Sequence, residues 1–145
     1  MRSAEGFGVT KIIFSGYTPY PSQMVDSRLP HLKRKIDLAF HKTALGAESL
    51  VPNQRVEDVI GLIEQYKKSQ VAILALEQSP NSSNLADFKL ESDCLLILGE
   101  EVAGINAELL ALTDTILEIP MQGQKESFNV SVAAGIALFQ LTNKS

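Results

Sequence analysis

The chain has 145 residues, of which 45% are hydrophobic and 21% are charged, and its formal net charge is −4. This length suits one domain with a sizeable core, and the composition is ordinary for a globular protein. The acidic balance argues against a protein that binds nucleic acid over its whole surface, but it permits a local basic patch. No apolar run reaches the ~20 residues that span a bilayer, so we expect no membrane partner.

The cysteine content and the N-terminus indicate a compartment. A single cysteine, Cys94, excludes a disulfide within the chain and fits a reducing cytoplasm. It precedes two leucines in the sequence and is interpreted as a small buried residue. The N-terminal segment, MRSAEGFGVTK, lacks the basic and then apolar profile of a signal peptide. We therefore expect a cytoplasmic protein, and we expect no bound metal ion.

The first third of the chain contains one clear strand. Residues 11–14 form a short apolar run, KIIF, which predicts a buried strand. Two prolines, Pro19 and Pro21, then exclude regular structure. Residues 22–54 are harder to interpret: we expect a surface excursion, a helical segment near 32–40 and a short strand at 49–51. The basic cluster HLKRK at 31–35, with Lys42, is either a solvated face or an RNA contact.

The remainder alternates between helices and strands. Apolar residues recur at helical spacing between 56 and 66, and residues 71–76 form a continuous apolar run of the kind found in a strand covered on both faces. After the polar loop EQSPNSSN, residues 95–98 predict another buried strand. Residues 107–112 predict a short helix capped by Asn106, and residues 115–119 predict the last strand.

Such alternation indicates an α/β fold with a mostly parallel sheet flanked by helices. The carboxyl ends of parallel strands meet at one edge of the sheet. The loops after Leu76, Leu98 and Ile119 should therefore converge and define a cleft. A dinucleotide fingerprint would need GxGxxG after the first strand, whereas Gly6 and Gly8 precede it.

The final segment, IPMQGQKESFNVSVAAGIALFQL at residues 119–141, joins a strand, a polar loop and a helix that is apolar on every side. A helix of that kind belongs in a core or between subunits. Polar side chains between a buried strand and a buried helix indicate a ligand site at the carboxyl end of the strand. The alternative is an ordinary joint in which Ser127 opens the helix as its N-cap. The residues alone leave both interpretations open.

The sequence IPMxGxxESFNVSVAAGIAL in this segment resembles the third motif of the SpoU/TrmH-type RNA ribose 2′-O-methyltransferases, of the SPOUT class. That family usually has Leu where this chain has Phe128. LGEEVAGI at 98–105 resembles the second motif, and RSAEGFG at 2–8 resembles the end of the first. The resemblance implies a C-terminal trefoil knot, S-adenosylmethionine as cofactor, tRNA or rRNA as substrate, and a homodimer.

The same resemblance implies a set of cofactor-binding residues: Gly99, Ile119 and Phe128, with Leu76 and Met121 as further candidates. Core packing is the alternative interpretation for Ile119, Met121 and Phe128. Gly99 is expected to let the cofactor approach the backbone, so that a side chain there would block binding and leave the fold intact.

The resemblance also implies the catalytic residues. The family's arginine falls on Arg2, which we expect to grip phosphate or stabilise the developing oxyanion, because a guanidinium stays protonated and is a poor base. Glu101 is expected to orient Arg2 or the substrate. Ser127 and Asn129 are expected to position the ribose or its proton.

The function implied is transfer of a methyl group to a ribose 2′-hydroxyl by a single domain at residues 1–145. In relatives the first motif reads roughly NxGxxxR, and a core strand precedes it. This chain begins at Met1 and Arg2, inside that motif. We therefore expect an N-terminally truncated domain that binds S-adenosylmethionine but methylates RNA poorly. Two alternatives stay open: a non-catalytic RNA-binding or assembly protein that retains the fold, and an α/β enzyme acting on another nucleotide.

Overall fold

In a computed structural model, which describes residues 1–100 and 102–143, the chain forms two compact units, Met1–Val59 and Ile60–Ser145. Each unit contains its own parallel sheet. The expectation that residues 1–145 make up a single domain stays a prediction. No helix in the described part of the chain is long and apolar enough to cross a membrane.

The first unit contains α1 (Arg2–Gly6), β1 (Ile12–Phe14), α2 (Pro30–Ala44), α3 (Ala47–Leu50) and β2 (Asn53–Arg55). The strands β1 and β2 pair in parallel. The expected strand at 49–51 is wrong, because residues 47–50 are helical and the strand comes later. The sequence of β2, NQR, is polar and contains no apolar run that would predict a strand. Backbone pairing with β1 defines this strand.

The start of α2 follows from local sequence. Pro30 occupies the first turn of the helix. Backbone N–H groups in the first turn have no acceptor within the helix, so proline, which lacks the N–H, loses no hydrogen bond there. The helix ends at Leu45 and Gly46, which take left-handed φ angles of 52° and 98°. A left-handed residue with glycine beside it is a common way to terminate a helix. The helix predicted near 32–40 is therefore confirmed and is longer than expected.

The excursion between β1 and α2 is held together by Arg28. Its guanidinium donates to Asp26, with Nη2 2.6 Å from Oδ2, and to the carbonyl oxygen of Tyr20 at 3.0 Å. It also lies 3.8 Å above the centre of the Tyr20 ring. The side chain of Asp26 is only 2% exposed, and the Arg28 guanidinium keeps the pKa of that carboxyl well below its usual range. This segment lies outside helices and strands, as expected, but it is built around an ion pair.

The second unit contains most of the alternating pattern: α4 (Val59–Lys68), which begins at the boundary, β3 (Ala72–Leu76), β4 (Ser83–Asn84), a 3₁₀ helix (Leu85–Asp87), β5 (Cys94–Leu98), α5 (Ala107–Ala111), β6 (Thr115–Glu118) and α6 (Val130–Thr142). The sheet order is β4-β6-β3-β5, and every neighbouring pair is parallel. The predicted α/β fold with a mostly parallel sheet is confirmed.

The core of the second unit lies between this sheet and α6. Its buried cluster contains Leu74, Leu85, Leu117, Ala137 and Leu141. Cys94 packs against the cluster, and burial raises the pKa of its thiol, so it behaves as the structural residue that the sequence predicted. The predicted cap of α5 is also confirmed, because the Leu109 backbone N–H donates to Asn106 Oδ1 at 2.8 Å.

Candidate active site

Three loops leave the second sheet at one edge. In the parallel register, Leu76 at the end of β3 lies opposite Leu98 at the end of β5 and opposite Leu117 near the end of β6. Because the three strands run in the same direction, the loops that follow them begin side by side. The predicted convergence is therefore confirmed, and it places the segments that resemble the second and third motifs next to each other.

The loop after β5 closes tightly on itself. The backbones of Glu100 and Gly104 exchange two hydrogen bonds, at 3.1 and 3.0 Å. A Cβ atom at Gly99 would lie 2.7 Å from the backbone nitrogen of Ile105, and it would also collide with the carbonyl carbon of Gly104. The expectation that a side chain at Gly99 would spare the fold is wrong, because the chain's own backbone fills that space.

Glu77, the first residue after β3, connects two of the loops. The backbone N–H of Ile105 donates to Glu77 Oε2 at 2.9 Å, and the backbone N–H of Glu77 donates to the carbonyl oxygen of Leu117 at 2.9 Å. Gly104, at a φ of +66°, leaves room for this carboxylate, since a Cβ atom there would lie 2.5 Å from Glu77 Oε2. Residues 75–77 resemble the family's strand end beside the cofactor, but no role was predicted for Glu77 itself. Its position as the first polar residue after a buried strand was the available signal.

The loop after β6, residues 119–129, contains the remaining cofactor candidates. Ile119 packs against the buried cluster, as does Leu76 at the end of β3. Met121 is half-buried, and the side chain of Phe128 is 41% exposed. Core packing therefore accounts for Ile119 and Leu76. It does not account for Phe128, whose ring remains accessible.

The start of α6 corrects the interpretation of Ser127. The helix begins at Val130 and its N-cap is Asn129, whose Oδ1 accepts a hydrogen bond from the Ser131 backbone N–H at 2.9 Å. Ser127 lies two residues earlier, exposed and outside the helix, so the alternative that it is the cap is wrong. Asn129 thus has a structural role through Oδ1, whereas no hydrogen bond within the described chain uses its Nδ2.

The other two catalytic candidates are Arg2 and Glu101. Arg2 is an exposed residue of α1 in the first unit. Glu101 lies outside the described residues. Their expected contacts with Ser127, Asn129 or substrate stay predictions. Within residues 1–100 and 102–143, no group of three or more His, Cys, Asp or Glu side chains could hold a metal ion.

Comparison with protein families gives one match that covers almost the whole chain. Residues 1–139 match the model of the SpoU rRNA Methylase family. The chain is 32% identical over 141 residues to the 23S rRNA (guanosine-2′-O-)-methyltransferase RlmB of Xylella fastidiosa, covering 97% of this chain and 50% of that protein. It is 31% identical over 110 residues to the tRNA (guanosine(18)-2′-O)-methyltransferase TARBP1 of Mus musculus, covering 74% of this chain and 7% of that protein.

The chain thus spans half or less of the length of these curated relatives. Among solved structures, the A. aeolicus TrmH/SpoU tRNA modifying enzyme aligns with a TM-score of 0.78 at 22% identity, over 97% of this chain and 64% of that one. The SpoU methyltransferase AviRb from Streptomyces viridochromogenes, in complex with AdoMet, aligns with a TM-score of 0.74 at 22% identity, over 97% and 49%. At these identities the likeness concerns the fold.

Proposed function

The chain belongs to the SpoU rRNA Methylase family, and from that membership we propose that it is an S-adenosylmethionine-dependent methyltransferase acting on a ribose 2′-hydroxyl of tRNA or rRNA. The observation that carries the proposal is the meeting of two family motifs at one edge of the second sheet, where β5 and β6 end on either side of β3. Relatives named as guanosine 2′-O-methyltransferases support the reaction.

The candidate residues fit the cofactor. An adenosine needs apolar walls and backbone hydrogen-bonding groups more than charged side chains. Phe128 and Met121 supply accessible apolar surface, and the loop after Ile119 lies outside the sheet ladder, so its backbone polar groups would be available to the cofactor. Leu76 would form the floor between them. When bound, S-adenosylmethionine supplies an activated methyl group on a sulfonium sulfur.

The chain's own residues would then hold the ribose and manage its proton. A ribose hydroxyl is a weak nucleophile, so alignment and stabilisation of the developing alkoxide must supply much of the rate. Asn129 would donate from Nδ2 to the ribose while its Oδ1 caps α6, and the exposed hydroxyl of Ser127 would contact the ribose. We assign Arg2 to the phosphate or the oxyanion, and Glu101 to orienting Arg2 or the substrate.

We further propose that the protein is a homodimer in which a second copy covers α6. The side chains of Val132 and Ile136 are 49% and 38% exposed, and only Ala137 and Leu141 in this helix are buried. Apolar surface of this kind is typical of subunit interfaces. The family resemblance of residues 119–141 also supports a trefoil knot, and the single cysteine supports a cytoplasmic location.

The test begins with binding and then measures transfer. Titration calorimetry with S-adenosylmethionine should give a saturable one-site isotherm. Incubation with methyl-labelled cofactor should label tRNA or rRNA from a strain that lacks the protein, and nuclease digestion should place the label on a ribose. Absence of cofactor binding would refute the proposal. Binding without transfer to any RNA fraction would favour the non-catalytic alternative.

A pair of substitutions separates the two roles of Asn129. Asn129→Ser keeps a side-chain oxygen that can cap α6 but removes the Nδ2 donor, whereas Asn129→Ala removes both. If Asn129 acts on the ribose, both variants lose methyl transfer, and Asn129→Ala alone loses about 1 kcal/mol of unfolding free energy. If the residue is only a cap, Asn129→Ser keeps wild-type transfer.

A further inference from the structure

Charge is divided unequally between the two units. Residues 1–59 contain eight Lys and Arg against six Asp and Glu, a formal charge of +2, whereas residues 60–145 contain five against eleven, a formal charge of −6. The overall charge of −4 therefore conceals a cationic first unit. Nucleic-acid binding depends on the local clustering of cations more than on the net charge of the chain.

The excess positive charge is concentrated on α2. Arg34, Lys35 and Lys42 are exposed, and Lys33 is partly exposed. Arg34 and Lys42 are eight residues apart, about 12 Å along a helix axis at ~1.5 Å per residue, and helical spacing places them with Lys35 on the outward side. We call Arg34, Lys35 and Lys42 the cationic strip. None of the three forms an ion pair with any residue that the structure describes.

The nearest acidic groups have other partners. Asp37 is the only carboxylate on α2, and it accepts hydrogen bonds from the backbone N–H and the hydroxyl of Ser22, at 2.8 and 2.6 Å. Glu48 lies 2.7 Å from His41 Nδ1 and accepts from the Gly46 backbone N–H at 2.9 Å. Neither carboxylate forms an ion pair with Arg34, Lys35 or Lys42, although both line the cleft beside the strip.

An open cleft of about 640 Å³ adjoins the strip, lined in part by Pro21, Ser22, Lys33 and Arg34. On α2 the Phe40 ring packs edge-on against Phe14, with their centres 6.0 Å apart, whereas Leu32 and Leu38 are exposed. These two leucines do not form a continuous apolar face, because Arg34 and Lys35 lie between them in the sequence. A membrane-binding helix would instead present a continuous apolar face to the lipid. The exposed cations of α2 without ion-pair partners fit a phosphate backbone better than a lipid surface.

We propose that the cationic strip on α2 binds the phosphate backbone of the RNA substrate. The inference rests on the proposed function, because it takes RNA as the partner, and it adds the surface that receives the strand. Lysine and arginine contacts to phosphate release counterions and carry no base specificity. The strip therefore positions RNA without selecting the nucleotide, and that choice belongs to other parts of the site.

The test compares two triple variants of the 145-residue chain. The first replaces Arg34, Lys35 and Lys42 with Gln. The control replaces Lys11, Lys68 and Lys89 with Gln, which removes the same charge from exposed positions that form no ion pair with described residues. The probes are labelled unfractionated tRNA and labelled oligouridylate, and affinity is measured across a series of salt concentrations.

The salt slope is the steepness with which the logarithm of the binding constant falls as the logarithm of the salt concentration rises. We expect the strip variant to lower this slope by about 2 to 3, since each phosphate contact contributes ~0.7–0.9. A slope change of about 2 over the decade from about 0.1 to 1 M salt corresponds to roughly hundredfold weaker binding near 0.1 M. Both probes should lose affinity equally. The control variant should keep the wild-type slope, and both variants should keep the wild-type Tm and affinity for S-adenosylmethionine.

Equal slopes in the two triple variants would overturn the proposal, and so would a wild-type chain that binds neither probe. Strip-dependent binding to vesicles of phosphatidylcholine and phosphatidylserine, with no strip-dependent binding to RNA, would also overturn it in favour of a membrane surface. A chain that binds RNA through the strip but does not bind S-adenosylmethionine would refute the proposed reaction and leave the strip standing.

Discussion

Replacing Gly99 with alanine distinguishes two explanations of why glycine stands at the end of β5. The sequence suggested that the cofactor approaches the backbone there. The structure places the chain's own loop in that space, with the backbone nitrogen of Ile105 at 2.7 Å and the Cα of Gly104 at 2.8 Å from a Cβ atom built on Gly99. Backbone atoms cannot rotate away as a flexible side chain can, so the Glu100–Gly104 turn must shift.

The magnitude follows from the size of the overlap. Contacts of 2.7–2.8 Å are several tenths of an ångström inside normal carbon–nitrogen and carbon–carbon separations. Overpacking of this kind costs about 1–3 kcal/mol. For a chain of this length that corresponds to a fall in Tm of roughly 3–10 °C. The loop that carries the second motif would move with the backbone, so affinity for S-adenosylmethionine should fall together with stability.

The assay is thermal unfolding combined with titration calorimetry on Gly99→Ala and on a control, Gly123→Ala. A Cβ atom at Gly123 meets no other atom within 4 Å, so the control should keep the wild-type Tm within about 1 °C. A Gly99→Ala variant that melts at the wild-type temperature but no longer binds the cofactor would refute the packing argument. That result would restore close approach of the ligand as the reason for glycine.

Three further predictions concern other parts of the molecule. Glu77→Ala leaves the Ile105 N–H without its charged acceptor and should lower the free energy of unfolding by about 1.5–3 kcal/mol in urea titrations, with a smaller loss in Glu77→Gln; an unchanged midpoint would contradict this. Because the pKa of Asp26 is lowered in the folded protein, its pair with Arg28 stabilises the fold fully above about pH 4. This stabilisation disappears as the pH falls from there through the lowered pKa of Asp26. The Tm of the wild type should therefore exceed that of Asp26→Asn at pH 7, and a difference that persisted undiminished at the lowest pH at which both variants fold would argue against that linkage. Light scattering should give twice the chain mass for the wild type and a monomer for Ile136→Glu, and a monomeric wild type would exclude the proposed dimer.

Apolar runs in the sequence were sufficient to predict the central sheet. β3 and β5 are runs of AILAL and CLLIL, a pattern typical of strands in parallel sheets, although of the two only the central strand β3 is buried in its middle. Their direction followed from the alternation of strands and helices along the chain as a whole, and the shared edge of their loops followed from their direction. The short polar strands β2 and β4 could not be predicted in this way, because backbone pairing with a neighbour defines them and their side chains carry no pattern.

The sequence by itself determined the fold class, the family motifs at residues 98–105 and 119–134, and the edge of the sheet where those motifs meet. These features depend on local residue patterns and on the order of elements along the chain. Only the tertiary structure decided that Gly99 is crowded by its own loop, that Glu77 connects that loop to β3, and that Asn129 rather than Ser127 caps α6. Each of these depends on a contact of about 3 Å. For Gly99 and Glu77 the contact joins residues that are apart in the sequence, and for Asn129 the local path of the backbone sets it. Composition and periodicity carry no information about such distances, because they record which residues are present and not where the folded backbone places them.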